Sequence, residues 1–236
     1  TLEFAGPNVS EQDNYNPFIN YKLNVLFTHS KTKATYLVPG YFAADGNAEN
    51  TSADSGNKWR VHFSPDEIGL WNWKASFIKG NYVAVAKTNK TGLSAGFMDG
   101  QSGSFEVNAK RGPDFRAYGR LQYVNNPYLR FADQGGYFIK AGPDSPENLL
   151  SYADFDGGFK NDGFKDNLVK TWQPHVRDWQ KGNPTFKSEK GKGLIGALNY
   201  IASKGMNSIS FLTLNIVGDD QNVFPYVDNK DFLRFD

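Results

Sequence analysis

The apolar positions of this chain change their period once. Up to about residue 109 they alternate with polar ones over short runs. Leu23, Val25 and Phe27 share one face of an expected strand Tyr21–Thr28, and Trp59, Val61 and Phe63 share one face of another. Ala34–Phe42 reads as a strand bent at Pro39-Gly40. Gly69–Phe77 follows the turn Ser64-Pro65-Asp66, and Tyr82–Ala86 and Ser104–Val107 complete the set. Convincing helical spacing is missing from this half. Short strands at regular spacing predict a two-sheet sandwich of immunoglobulin or fibronectin type.

Near the other end the period becomes helical. Leu194, Ile195, Leu198, Ile201 and Ala202 recur at three- and four-residue spacing, which predicts a helix over Gly191–Lys204. Gly205 stands just past it, where a left-handed residue is cheapest. Met206–Ile216 then reads as a strand. Its Ile209, Phe211, Leu212, Leu214 and Ile216 are too continuously apolar for a strand wetted on one face. A helix feeding a doubly buried strand is the repeating unit of a parallel α/β sheet or barrel. A lone parallel strand cannot satisfy its own ladder, so its neighbours are expected outside these residues.

Between the two patterns, Lys110–Asp114 marks a boundary with Gly-Pro punctuation. Arg120–Val124, Tyr128–Phe131 and Tyr137–Ala141 are short β-segments that suggest a small hairpin layer. Pro143–Tyr152 reads as a short helix, capped by Ser145, with Pro146 first and Glu147 in the first turn. The expected division is a sandwich over 1–111, a connector and cap over 112–190, and a first helix and strand over 191–236.

Composition narrows the chemistry. The chain has 236 residues, with 26 Lys and Arg against 25 Asp and Glu. A net charge of +1 gives no electrostatic case for nucleic acid. Cysteine is absent, which excludes disulfides, thiolate metal sites and thiol nucleophiles. No apolar run reaches the roughly 18 residues of a membrane span. Aromatic residues make up 15% of the chain, a content that suits stacking on sugar rings as well as it suits sandwich cores. Thr1 in place of Met is what a processed N-terminus would leave. Asn8, Asn50 and Asn89 head N-glycosylation patterns, which matter only in a source that glycosylates.

Four places invite a functional reading, each beside a plainer one. Trp71 and Trp73 lie two apart on one strand face, as a sugar-stacking platform or as core. Asp45, Asn47 and Glu49 offer oxygen ligands for a structural calcium ion, or form a solvated loop around the Asp45-Gly46 turn. Residues 152–163 fail the EF-hand pattern: counted from Asp154, Gly158 and Phe159 fall at positions five and six, and Lys165 at twelve. His175 and Asp178, three apart, suit either an acid–base pair or a structural hydrogen bond among aromatic neighbours.

A resemblance carries the reading further. The strings Val38–Asn47, Trp59–Pro65 and Gly69-Leu70-Trp71 resemble an uncharacterised β-sandwich domain at the N-terminus of secreted bacterial glycoside hydrolases. Gly142–Asn148, Tyr152–Gly157 and Trp172–His175 look like the lead-in to the catalytic (β/α)8 barrel of those proteins, and Gly191–Ile216 like its first helix and strand. The resemblance implies a secreted or periplasmic enzyme acting on polysaccharide or oligosaccharide. It implies a mainly β chain: an immunoglobulin- or fibronectin-like sandwich, a β-rich cap, and the first βα unit of an incomplete barrel. The remainder of the same polypeptide's barrel is then its partner.

Catalytic carboxylates of such barrels sit on later strands. No catalytic residue is therefore assigned here, and the chain by itself is expected to be inactive, with no resident cofactor. The C-terminal end of the first barrel strand points to the active-site face. That makes Asn215, Asp219, Asp220, Asn222, Phe224 and Tyr226 candidates for lining a sugar subsite, against the plainer reading of a loop covering the barrel top. A non-catalytic carbohydrate-binding module, built on Trp71 or Trp73, is the alternative. A structural spacer that binds nothing is the third reading. It gains if every tryptophan of the sandwich is buried.

Overall fold

In the computed structural model, which describes residues 1–86, 92–109, 115–132, 136–144, 148–155, 169–215 and 222–226, the chain is mainly β. By contacts it divides into two compact units: Thr1–Ala48 with Ala53–Ile139, and Glu49–Ser52 with Lys140–Asp236.

The first unit opens with β1 (Leu2–Ser10), β2 (Tyr21–His29), β3 (Thr35–Pro39), β4 (Tyr41–Phe42), β5 (Ser55–Val61), β6 (Gly69–Lys79), β7 (Leu93–Ser94) and β8 (Ser102–Val107). They form two antiparallel sheets. One has the order β1-β5-β4; the other has β3-β2-β6, with β8 and β7 pairing successive stretches of the far edge of β6. The expected alternation is realised on both sides of the core. Leu23, Val25, Phe27, Trp71, Ala75 and Phe77 from one sheet meet Phe4, Phe42, Trp59 and Val61 from the other in one buried cluster. The Trp59 and Phe77 rings touch edge to face at 4.7 Å between centroids. Each such ring contributes about 2–3 kcal/mol of burial.

Where expectation and structure part, a local cause is visible. The bend at Pro39-Gly40 is a change of sheet: β3 pairs with β2, while β4 pairs with β5. Gly40 makes the crossing by lying against Leu23, where a Cβ would come within 2.5 Å of the side chain. The expected strand Tyr82–Ala86 is a turn instead. Tyr82 has φ of 59°, its N–H is taken by Asn20 Oδ1, and Val83 alone is driven into the interior. β1 escapes the pattern because Gly6-Pro7-Asn8 interrupts its alternation, and its register with β5 shifts between Ala5 and Val9. Two single-turn helices, α1 (Pro17–Asn20) and α2 (Ala48–Thr51), were equally unexpected. The first has a readable signal: Asn16 Oδ1 accepts the Phe18 N–H, and Pro17 takes the first helical position.

The hairpin layer is present as β9 (Leu121–Gln122), β10 (Leu129–Phe131) and β11 (Tyr137–Phe138), in the order β11-β10-β9. Phe131 and Phe138 on it pack with Phe115 from the 3-10 turn Phe115–Tyr118, with centroids 5.7 to 5.9 Å apart. The expected boundary at Lys110–Asp114 and the cap at Ser145, Pro146 and Glu147 lie outside the described residues.

In the second unit the expected helix forms as α3 (Lys192–Ser203), and Gly205 takes φ of 81°. Its buried face is not the apolar stripe. Gly193, Gly196 and Ala197 are buried, and a Cβ on Gly196 would run into the carbonyl of His175 in the 3-10 helix Gln173–Asp178. Two glycines thus let two helices approach closely, while Leu198 stays exposed. The expected strand Met206–Ile216 is not formed over its described part. Among the described residues, a single parallel bridge, Asp144 to Ser210, is its only ladder contact. Apolar sequence alone does not make a strand, because the ladder hydrogen bonds must come from neighbours.

Candidate functional site

The three tryptophans of the first unit are spent in different degrees. Trp59 and Trp71 are 1% and 0% exposed. Trp71 donates its indole N–H to the Glu67 carbonyl at 3.0 Å and is enclosed by His29, Phe63 and Tyr36. It has no open ring face. Trp73 is half-buried: Phe4 meets its ring edge-on at 5.6 Å, and the ring lies over Gly103 on the neighbouring strand.

The rest of the Trp73 ring lines a cleft of about 180 Å³ between the two sheets. Leu2 and Val61 come from one sheet, Phe27 and Phe105 from the other, and Thr1 and Ser104 supply hydroxyls. Thr1 Oγ1 stands 2.9 Å from His62 Nδ1, and the far ring nitrogen of His62 stands 3.0 Å from the Tyr41 hydroxyl. The cleft is smaller than the roughly 300 Å³ at which ligand pockets usually begin. It accommodates one ring or a short side chain, not an oligomer.

Polar groups of the first unit are mostly engaged with one another. Arg120 donates to the Tyr36 hydroxyl at 2.7 Å, pairs with Asp66 at 3.0 Å, and lies 4.6 Å over the Tyr36 ring. Tyr36 in turn donates to Asp66, and burial, then this carboxylate, pushes its phenol above the usual tyrosine range. Glu3 is held below the ordinary glutamate range, first by its hydrogen bond from Arg60.

The proposed calcium loop is arranged as a turn. Asp45 Oδ1 accepts the Asn47 N–H at 2.7 Å, and Gly46 takes φ of 84°. Asp45, Asn47 and Glu49 are all exposed. Arg60 donates to the Gly46 carbonyl, placing a fixed positive charge where a cation would sit. Among the described residues no three His, Asp or Glu side chains come together as metal ligands.

In the second unit, His175 Nδ1 and Asp178 Oδ2 meet at 3.0 Å, as the three-residue spacing allowed. The imidazole packs on Tyr200 at 4.9 Å. The pair therefore sits beside α3, and no nucleophile or third charged group accompanies it in the described contacts. Nearby, Tyr152 is buried and donates to Asp154 Oδ2 at 2.7 Å, and the same oxygen accepts the Gly191 N–H at 2.9 Å. Asp154 thus holds the backbone of Gly191, the residue that precedes α3, from a distance of 37 residues in sequence. Burial, reinforced by Asp154, pushes the Tyr152 phenol up to about 12. Sequence reading missed this role, because nothing local ties Asp154 to a helix so far along the chain.

The candidate sugar-lining residues divide in kind. Asn215 is 3% exposed and clamps a loop: its Oδ1 accepts the Val223 N–H at 2.7 Å, and its own N–H donates to the Val223 carbonyl at 2.9 Å. Its Nδ2 reaches Asn222 Oδ1 at 3.3 Å. Asn222 belongs to that clamp, Phe224 and Tyr226 follow it, and all three are half-buried. Asp219 and Asp220 lie outside the described residues. Trp71 and Trp73 belong to the other unit.

Among the described residues no helix is long and apolar enough to cross a membrane. Residues 1–78, a third of the chain, match a family described as a domain of unknown function, DUF5060. No curated protein matches the chain. Among solved structures it is similar to one described as "a putative glycoside hydrolase from Bacteroides vulgatus ATCC 8482". The identity is 15% and the TM-score 0.49, over 100% of this chain and 35% of that one. The chain therefore spans about a third of the length of the structure it matches.

Proposed function

We propose that the chain is the N-terminal portion of a secreted bacterial polysaccharide-degrading glycoside hydrolase. Its immunoglobulin- or fibronectin-like sandwich (1–111) acts as a structural accessory, the cap (112–190) follows, and 191–236 begins a (β/α)8 barrel. The resemblance of Val38–Asn47, Trp59–Pro65 and Trp172–His175 to such enzymes supports the parent's activity. One observation carries the accessory role: Trp59 and Trp71 are closed into the core, and Trp73 is half-buried across Gly103. An open platform for a glycan chain needs ring faces in solvent, and these are turned inward.

The second reading is a carbohydrate-binding module, and Trp73 at the cleft is what favours it. Affinity electrophoresis against a polysaccharide panel separates the two. Unretarded migration, the same for Trp73→Ala, is expected of the accessory. Retardation lost in that variant would establish the module instead. In a hydrolysis assay the 236-residue chain is expected to release no reducing sugar from the same panel.

A further inference from the structure

We infer that Arg120 is a latch: it holds the three-stranded layer β9–β11 against the sandwich through Tyr36 and Asp66, and the layer swings free when that contact is broken. The inference rests on the reading of the sandwich as a structural accessory and names the contact by which it holds the first part of the cap.

The layer and the sandwich each hold together without the other. β9, β10 and β11 pair among themselves, and among the described residues no backbone hydrogen bond joins them to either sheet of the sandwich. Phe115, Tyr118, Phe131 and Phe138 give the layer a small core of its own. Yet residues up to Ile139 fall into one compact unit with the sandwich. Apolar burial does not supply that hold. Leu121 and Leu129 lie on one face of the layer and Tyr137 on the other, and they remain 40%, 40% and 53% exposed.

Arg120 does supply it. Its backbone belongs to the layer, where its carbonyl accepts the Ala132 N–H at 2.9 Å. Its guanidinium reaches the sandwich, donating to the Tyr36 hydroxyl at 2.7 Å, pairing with Asp66 at 3.0 Å and lying 4.6 Å over the Tyr36 ring. The receiving site is built by the sandwich alone: Tyr36 stands on β3, Asp66 in the turn after β5, and the phenol donates to the carboxylate. Asp66 is only 11% exposed, which makes its bond from Arg120 one of the strong, charge-assisted kind. Two features keep the contact reversible. Asp66 Oδ1 is buried with no hydrogen-bond partner among the described residues, so closure leaves one acceptor unsatisfied and opening returns it to water. The Arg120 side chain is 40% exposed, so salt reaches it.

The chain has no cysteine, so nitroxide labels placed through Lys31→Cys on the sandwich and Asn126→Cys on the layer report one distance by double electron–electron resonance. The expected result is a narrow distribution with the latch intact. Arg120→Gln and Asp66→Asn should each broaden it at least about twofold, with no further change when the two are combined. Raising salt from about 50 mM to about 1 M should broaden the distribution of the intact latch and leave the variants as they are. An equally narrow distribution in Arg120→Gln overturns the inference, and so does a broad one at low salt with the latch intact. Should Asp66→Asn fail to fold, Arg120→Gln decides alone. Thermal melts followed by circular dichroism separate release from unfolding: Arg120→Gln is expected to keep the melting temperature, and broadening that comes only with its collapse counts against a latch. Affinity electrophoresis tests the accessory reading separately, so the two can fail independently.

Discussion

At the scale of single residues, the same type of side chain does different work according to what closes around it. Trp71 and Trp73 share a strand face, but one is sealed by His29, Phe63 and Tyr36 while the other ends in a cleft. Trp71→Ala is expected to cost about 3–5 kcal/mol, the range for emptying a large aromatic site. Trp73→Ala should cost less, because part of its ring is already wet. Urea denaturation monitored by circular dichroism measures both, and a Trp71→Ala loss below that of Trp73→Ala would contradict the packing described. That the two tryptophans point the same way was legible from their spacing. Which of them had room beside it was not, since Gly103 and Phe4 come from other strands.

Elements show a similar divide. The α3 helix was readable from its apolar spacing, yet its buried face is Gly193, Gly196 and Ala197. A hydrophobic stripe reports which face could be covered, whereas close helix approach is set by small residues that allow backbone contact. Gly191, the residue before the same helix, donates its N–H to Asp154, whose carboxylate also accepts from the buried Tyr152 hydroxyl. The Tyr152 phenol is raised from 10.0 to about 12, so the folded state keeps its proton where the unfolded chain loses it. Its stabilising contribution is complete below pH 10 and is lost as pH rises from there to about 12. Alkaline titration should therefore destabilise the second unit by on the order of 2 kcal/mol across that window, and Tyr152→Phe should remove this part of the pH dependence. Thermal melts at stepped pH check it; an unchanged slope in the variant would count against the assignment.

For the whole molecule, balance is the dominant electrostatic fact. The chain has 26 basic and 25 acidic residues, and Arg60, Arg120 and Lys192 are paired to Glu3, Asp66 and Glu189. With so near a balance the chain is expected to pass through a heparin column at physiological salt, and retention would contradict that expectation. Sequence by itself determined the β-rich first half, the small hairpin layer and the single strong helix. Each follows from a periodicity of two or of about 3.6 that local backbone geometry imposes. Only the tertiary structure decided that Pro39-Gly40 moves the chain between sheets, that Tyr82–Ala86 turns, and that Asn215 clamps Val223. It also decided that the apolar run after α3 stands beside one short parallel neighbour. Those outcomes depend on hydrogen-bond partners and close contacts supplied from far along the chain, and a local pattern carries no information about who will arrive to make them.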